Sequence, residues 1–316
     1  MVGILREMMT VEELNERIRN GTVNETIRVA EARQVKALSR IADEICADSL
    51  HRLVLVCGAS AAGKTTTAKR LCTQLMVNDR PAMHISTDDY FVGDKLNPRD
   101  ENGNLDYEHV ECVDIRRLAS DLNALFRGEA VPKRTFDFIN HVPVYTDQYI
   151  SLPEDGFIVL EGIHALNPRL TEGIEEPLKF RVMIEPIPDI DVFGGFQPLS
   201  SDARFLRRLV RDNQFRKLNP ADTLRLWPNV LAGEKKWIEP FRRNADAAFN
   251  SYLIYELAAL KHFAGGLLAR AQRELGDLPQ LVKMAGMLKL VDPIAPDVIP
   301  GDSILRETIG GSQLEY

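Results

Sequence analysis

The run CGASAAGKTTTAKR, residues 57–70, constrains this chain more than any other stretch. Hydrophobic residues 53–56 lead into it and a glycine-free stretch follows, the order of a strand, a turn and a helix. Gly58, Gly63, Lys64 and Thr65 fit G-x-x-x-x-G-K-[ST] at full spacing. Such a loop turns its backbone N–H groups inward around a phosphate, and the helix opening at Lys64 adds the positive end of its dipole. Gly58, Ala59, Ser60, Ala61, Ala62, Gly63, Lys64, Thr65 and Thr66 are therefore the expected cradle for a nucleoside triphosphate. The Lys64 ammonium is placed to reach the β- and γ-phosphates, and the Thr65 hydroxyl to ligate Mg²⁺.

The pattern on either side agrees with that placement. Residues 53–57, 82–86, 157–160 and 180–184 read as short buried strands, and the stretches opening at Lys64, Asp114 and Ser201 read as helices. Alternating strands and helices predict a mostly parallel sheet covered on both faces, an α/β three-layer sandwich of the P-loop NTPase type. Residues 132–152, PKRTFDFINHVPVYTDQYISL, are rich in prolines, β-branched and aromatic residues and read as irregular strands or a hairpin beside that sheet. Residues 10–50 read as helical. Thr10 is the N-cap with Glu13 as its capping-box partner, and a second run from Val23 to about Leu50 repeats Ile27, Ala30, Val35, Leu38, Ile41 and Ile45 at roughly helical spacing. A helix is expected over 245–263, a break at Gly265 and Gly266, and a further helix over 278–290 before a proline-rich link. The chain then divides into a helical N-terminal extension (1–50), a P-loop domain (51–265) and a helical, proline-rich tail (266–316).

Composition acts as a filter. The net charge of −7 argues against nucleic acid as a partner, and no apolar run approaches the length of a membrane span. Cys46, Cys57, Cys72 and Cys112 show no metal-binding spacing and read as reduced thiols of a cytoplasmic protein. The N-terminal extension is expected to pack on the main domain or at a contact between copies in a homo-oligomer.

A phosphate loop working with Mg²⁺ needs a carboxylate at the end of a neighbouring strand. FIVLEGIHAL ends its hydrophobic run at Glu161, the expected companion of Thr65 in the metal shell. In HISTDDYF a strand ends in Asp88 and Asp89, at the crevice where parallel strands present ligands. Either carboxylate is suited to take a proton from an acceptor hydroxyl, and spacing does not choose between them.

GASAAGKTT, ISTDDYF, FDFINH, VLEGIHAL and ARFLRRLVRD follow one another in the order seen in uridine kinases and phosphoribulokinases, and residues 52–250 resemble that family. The resemblance implies an ATP- and Mg²⁺-dependent kinase acting on a small sugar-containing acceptor. It assigns the base to Asp88, and the hold on a pyrimidine to Phe136 and His141. Asp106 in LDYEHVE is the best match to the family's ribose-binding aspartate. Here the aromatic at 136 lacks the usual hydroxyl, and the LDYEHVE segment departs from the family wording.

DARFLRRLVRD places Arg204, Arg207, Arg208 and Arg211 on one helix face. Asp202 and Asp212 are too few to compensate them, so an outside anion is expected. The family's mobile lid carries arginines at matching positions. That resemblance implies Arg204 and Arg207 in catalysis, Arg208 and Arg211 on the nucleotide, and a lid over about 194–218. The first-choice reaction is uridine or cytidine to the 5′-monophosphate. Ribulose 5-phosphate, pantothenate or another nucleoside is the alternative acceptor, and a non-catalytic nucleotide-binding regulator is the alternative class.

Overall fold

The computed structural model describes residues 8–101 and 103–315. Two compact units emerge: the described residues of Lys36–Ile184 and Pro228–Phe249 form one, and those of Met1–Val35, Glu185–Trp227 and Asn250–Tyr316 the other.

Short apolar runs build the first unit. β2 (Leu53–Cys57) and β6 (Phe157–Gly162) are buried along their whole length, as the middle strands of a parallel sheet must be. β3 (Ala82–Ser86), β6, β2, β7 (Lys179–Glu185) and β9 (Ala247–Asn250) form a sheet in that order, and the β3–β6, β6–β2 and β2–β7 pairs are parallel. Leu53, Leu55 and Cys57 share one face with Ile158 and Leu160 and form a core with Leu118, Leu122 and Leu125 of α4 (Ile115–Phe126). α3 (Lys64–Val77) packs on β2, β3 and β6 through the other face. The expected mostly parallel sheet with helices on both sides is present. β2 leads through α3 to β3, two places away, and β6 fills the gap. This topology opens a crevice at the carboxyl ends of β2, β6 and β3. β4 (Val131–Asp137) and β5 (Val142–Ile150) form the antiparallel hairpin expected from the 132–152 pattern, with Phe136 opposite Pro143.

In the second unit, β1 (Met9–Thr10) pairs in parallel with β8 (Ile190–Asp191). Thr10 caps α1 (Val11–Arg19) with the expected Glu13 capping box. The run after it becomes α2 (Val23–Ala47), of which the residues up to Val35 belong here. α5 (Ser200–Phe215) packs on α7 (Glu256–Leu275) and α9 (Arg306–Ile309), and α7 packs on α8 (Pro279–Leu290). α6 (Pro220–Trp237) contributes Trp227, buried against Phe205.

The 245–263 expectation is corrected. Residues 247–250 form β9, and the helix begins only at Glu256. Asn250 stops the extended segment by accepting the N–H groups of Ile187 and Tyr252. Gly265 and Gly266 do not punctuate the chain but lie inside α7. Leu257, Leu260, Ala264, Leu268 and Ala271 form one buried stripe, and its burial outweighs the roughly 1 kcal/mol that each interior glycine costs a helix. An added Cβ at either glycine would meet nothing within 4 Å, so both lie on the open side of the helix.

Candidate active site

The phosphate loop leaves the end of β2 and closes into α3. Ala61 (φ 61°) and Gly63 (φ 88°) both take the left-handed conformation that turns successive amides toward one concavity. A Cβ at Gly58 would stand 2.5 Å from the Ile184 carbonyl oxygen, so only glycine lets the loop pass the end of β7. The Lys64 ammonium donates to the Ala59 carbonyl at 3.3 Å, tethered to the loop it serves.

Glu161 is the hub of this half. It lies at the end of β6, 3% exposed, in register with Ser86 on β3. Its Oε1 accepts from the Thr65 hydroxyl at 3.0 Å and from the Ser86 hydroxyl at 2.7 Å, and His84 Nε2 stands 3.8 Å away. Burial works against the carboxylate's charge. His84, the Lys64 ammonium and the Ser86 hydroxyl together outweigh it and hold the group down at about 2. Ser86 also accepts the Asp88 N–H at 3.3 Å, so one hydroxyl ties Glu161 to the turn carrying both aspartates. Asp89 is pushed up to about 7, by burial first and then by the Asp88 and Glu161 charges. Gly162 fixes that turn from below: a Cβ there would fall 1.9 Å from the Thr87 hydroxyl oxygen. The oxygen set of Thr65 and Glu161, with a carboxylate kept ionised in a buried place, fits a hard cation such as Mg²⁺, which keeps few protein ligands.

A second cluster forms where three segments meet. Asp94 accepts from the Tyr107 hydroxyl at 2.8 Å and stands 3.4 Å from His141 Nδ1. Phe91, Phe136 and Phe138 meet edge to face, with centroids 5.2–6.2 Å apart. Phe136 is buried within this trio while Phe138 is partly exposed. Asp106 uses a carboxylate oxygen to accept the Glu108 N–H at 3.0 Å. Arg134 is engaged by Asp121 at 3.0 Å.

The arginine stripe lies on α5, in the other unit. Arg207 is 2% exposed and makes a two-pronged pair with Glu256, 2.6 Å at each prong, plus a bond to the Ser251 carbonyl at 2.9 Å. The expectation that the stripe needs an outside anion is corrected at this position, because α7 supplies Glu256 from far along the sequence. Arg208 (3.2 Å), Arg211 (2.8 Å) and Arg216 (3.7 Å) converge on the buried Asp212, holding its carboxyl below the usual range against the cost of burial. Arg204 lies over the Trp227 ring at 5.6 Å.

Several residues of these clusters were not singled out from sequence. Ser86 and His84 lie two residues apart on one face of β3, on either side of the buried Ile85. Asp94 and Tyr107 sit in loops, with no local pattern to mark them. His164 follows Glu161 closely, is 1% exposed and meets the Trp237 ring edge to face, with centroids 6.4 Å apart. Burial and the nearby His109 and Lys64 charges depress it to about 4.

The pattern of the phosphoribulokinase / uridine kinase family matches residues 53–256. The chain belongs to this family. Among its relatives, a uridine kinase from Lactobacillus helveticus (strain DPC 4571) is 27% identical over 195 residues, covering 61% of this chain and 83% of that protein. One from Chloroflexus aggregans (strain MD-66 / DSM 9485) is 30% identical over 199 residues, covering 62% and 85%. A solved D-glycerate 3-kinase from Cryptococcus neoformans var. grubii aligns at a TM-score of 0.43 and 12% identity, over 64% of this chain and 88% of that one. As a member of the family the chain is a small-molecule kinase, a phosphotransferase that uses a nucleotide. Among its described residues no helix is long and apolar enough to cross a membrane.

Proposed function

We propose that the chain transfers the γ-phosphoryl group of ATP to the 5′-hydroxyl of a pyrimidine nucleoside, giving uridine or cytidine 5′-monophosphate. The observation that supports this reading is the hydrogen-bonded chain from Thr65 through Glu161 and Ser86 to the backbone N–H of Asp88, which ties the turn carrying Asp88 to the buried carboxylate beside the phosphate loop. Lys64 and the loop amides hold the phosphates. Thr65 and Glu161 would hold Mg²⁺, which when bound neutralises phosphate charge. Asp88 accepts the hydroxyl proton as the new oxygen–phosphorus bond forms. The bond from γ-phosphorus to the bridging oxygen breaks, and ADP leaves. Asp106 takes the ribose hydroxyls, and Phe136 and His141 the base. The lid arginines Arg207, Arg208 and Arg211 are engaged within their own unit, by Glu256 and by Asp212.

A phosphorylated acceptor such as ribulose 5-phosphate would call for free basic groups near His141. Lys133 and Arg134 are the nearby candidates, and Arg134 is already engaged by Asp121, which reduces the charge on offer to a phosphate. The test is Asp88→Asn. It should bind ATP as the wild type does and lose about 10³-fold in turnover. Near-normal turnover in that variant would refute Asp88 as the base.

A further inference from the structure

The Asp94–Tyr107–His141 cluster carries more than the family resemblance assigns. His141 takes the left-handed backbone conformation (φ 55°), which costs a residue with a side chain on the order of 1 kcal/mol and is kept where surroundings enforce it. The enforcing segment is Gly93 and Asp94. Gly93 is itself left-handed (φ 77°), and a Cβ there would stand 3.0 Å from the His141 carbonyl oxygen. The Asp94 N–H points to that same carbonyl at 3.4 Å. The two segments are thus clamped together, with the Asp94 carboxylate 3.4 Å from Nδ1 of the imidazole. Tyr107, its ring centroid 5.4 Å from that of His141, donates its hydroxyl to the same carboxylate oxygen and fixes it in place. Asp137, the other charge near the ring, is turned toward the Ile139 and Asn140 amides.

A carboxylate beside one ring nitrogen draws the imidazole proton to that nitrogen and leaves the other as a hydrogen-bond acceptor. Resting on the nucleoside reading above, we propose that Asp94 sets what His141 shows to the base. It holds the neutral ring as the Nδ1–H tautomer, so Nε2 accepts a hydrogen bond from an N–H of the pyrimidine. Uracil offers N3–H and cytosine offers N4–H, so one acceptor serves both bases. A pyrimidine offering only acceptors at that edge meets Nε2 lone pair to lone pair. Asp94 is then a positioning residue for specificity, and Tyr107 links it to the neighbouring Asp106 on the sugar side.

The test has two arms. Long-range ¹⁵N–¹H correlation spectra at about pH 8, where an ordinary imidazole is neutral, report the tautomer, with His141→Gln identifying the signal. The expected result is Nδ1–H in the wild type and a shift toward Nε2–H in Asp94→Asn. Nε2–H in the wild type, or no change in the variant, overturns the proposal. In the kinetic arm, the riboside of pyrimidin-2-one should fall below uridine in kcat/KM by about 10- to 100-fold, the cost of an unpaired polar contact. Asp94→Asn should narrow that gap to within about threefold. An unchanged gap overturns the specificity role. A wild type that phosphorylates neither uridine nor cytidine refutes the nucleoside reading instead, and the spectra still decide the tautomer.

Discussion

The phosphate-loop cluster and the Asp94–Tyr107–His141 cluster lie in one unit but are built differently. The first is made at strand ends. Its central carboxylate is 3% exposed and its members are joined by short hydrogen bonds through Thr65 and Ser86. The second is made from loops and a hairpin tip, and its Asp94 and His141 side chains are more than two-fifths exposed. On the proposed reading, the donor half is thus part of the core, whereas the acceptor half is carried on it. This suits a family in which the phosphate donor is shared and the acceptor varies, since loops change without disturbing a sheet.

The contrast can be tested by substitutions that should separate stability from activity. After Asp88→Asn, Glu161→Gln should have the largest effect, about 10²-fold in kcat, measured with saturating nucleotide. It should also change the pH dependence of stability. Glu161 is held at about 2, below its unfolded value, so its ionisation stabilises the fold at neutral pH. That contribution is lost as pH falls from about 4.5 toward 2. Urea titrations should show wild type and variant converging at the acid end, and a constant offset across that window would contradict the assignment. Gly162→Ala comes next. Its Cβ collides with Thr87, so unfolding free energy should drop by about 2 kcal/mol and turnover should fall with it. Adding Thr87→Ala should recover part of both losses, and strict additivity would break the argument. Asp106→Asn should have the smallest effect. The amide can still accept the Glu108 N–H, so stability should stay within about 0.5 kcal/mol. The KM for the nucleoside should rise about tenfold with kcat little changed. A large stability loss there would erase the distinction between the halves.

The same distinction explains what the sequence made legible. β2 and β3 fall at the expected residues because an apolar run bounded by turn residues has few alternatives as a parallel strand. Glu161 and Asp88 were visible because both end such runs. Asp94 and Tyr107 were not, since their meeting depends on Gly93 passing close to His141, a tertiary contact with no local pattern. The pairing of Arg207 with Glu256 was missed for a similar reason: the partners are 49 residues apart. The helix expected over 245–263 failed at its start because β9 supplies the sheet's edge strand, and tertiary pairing overrides local preference there.

The central claim is that the donor half serves transfer to a nucleoside hydroxyl. A coupled assay of ADP release, run with ATP and Mg²⁺ over nucleosides, sugar phosphates and pantothenate, tests it most directly. The account predicts strong stimulation by uridine and cytidine and little by the phosphorylated acceptors. Stimulation by another acceptor with none by either pyrimidine nucleoside, or ATP binding with no stimulation by any acceptor, would contradict it.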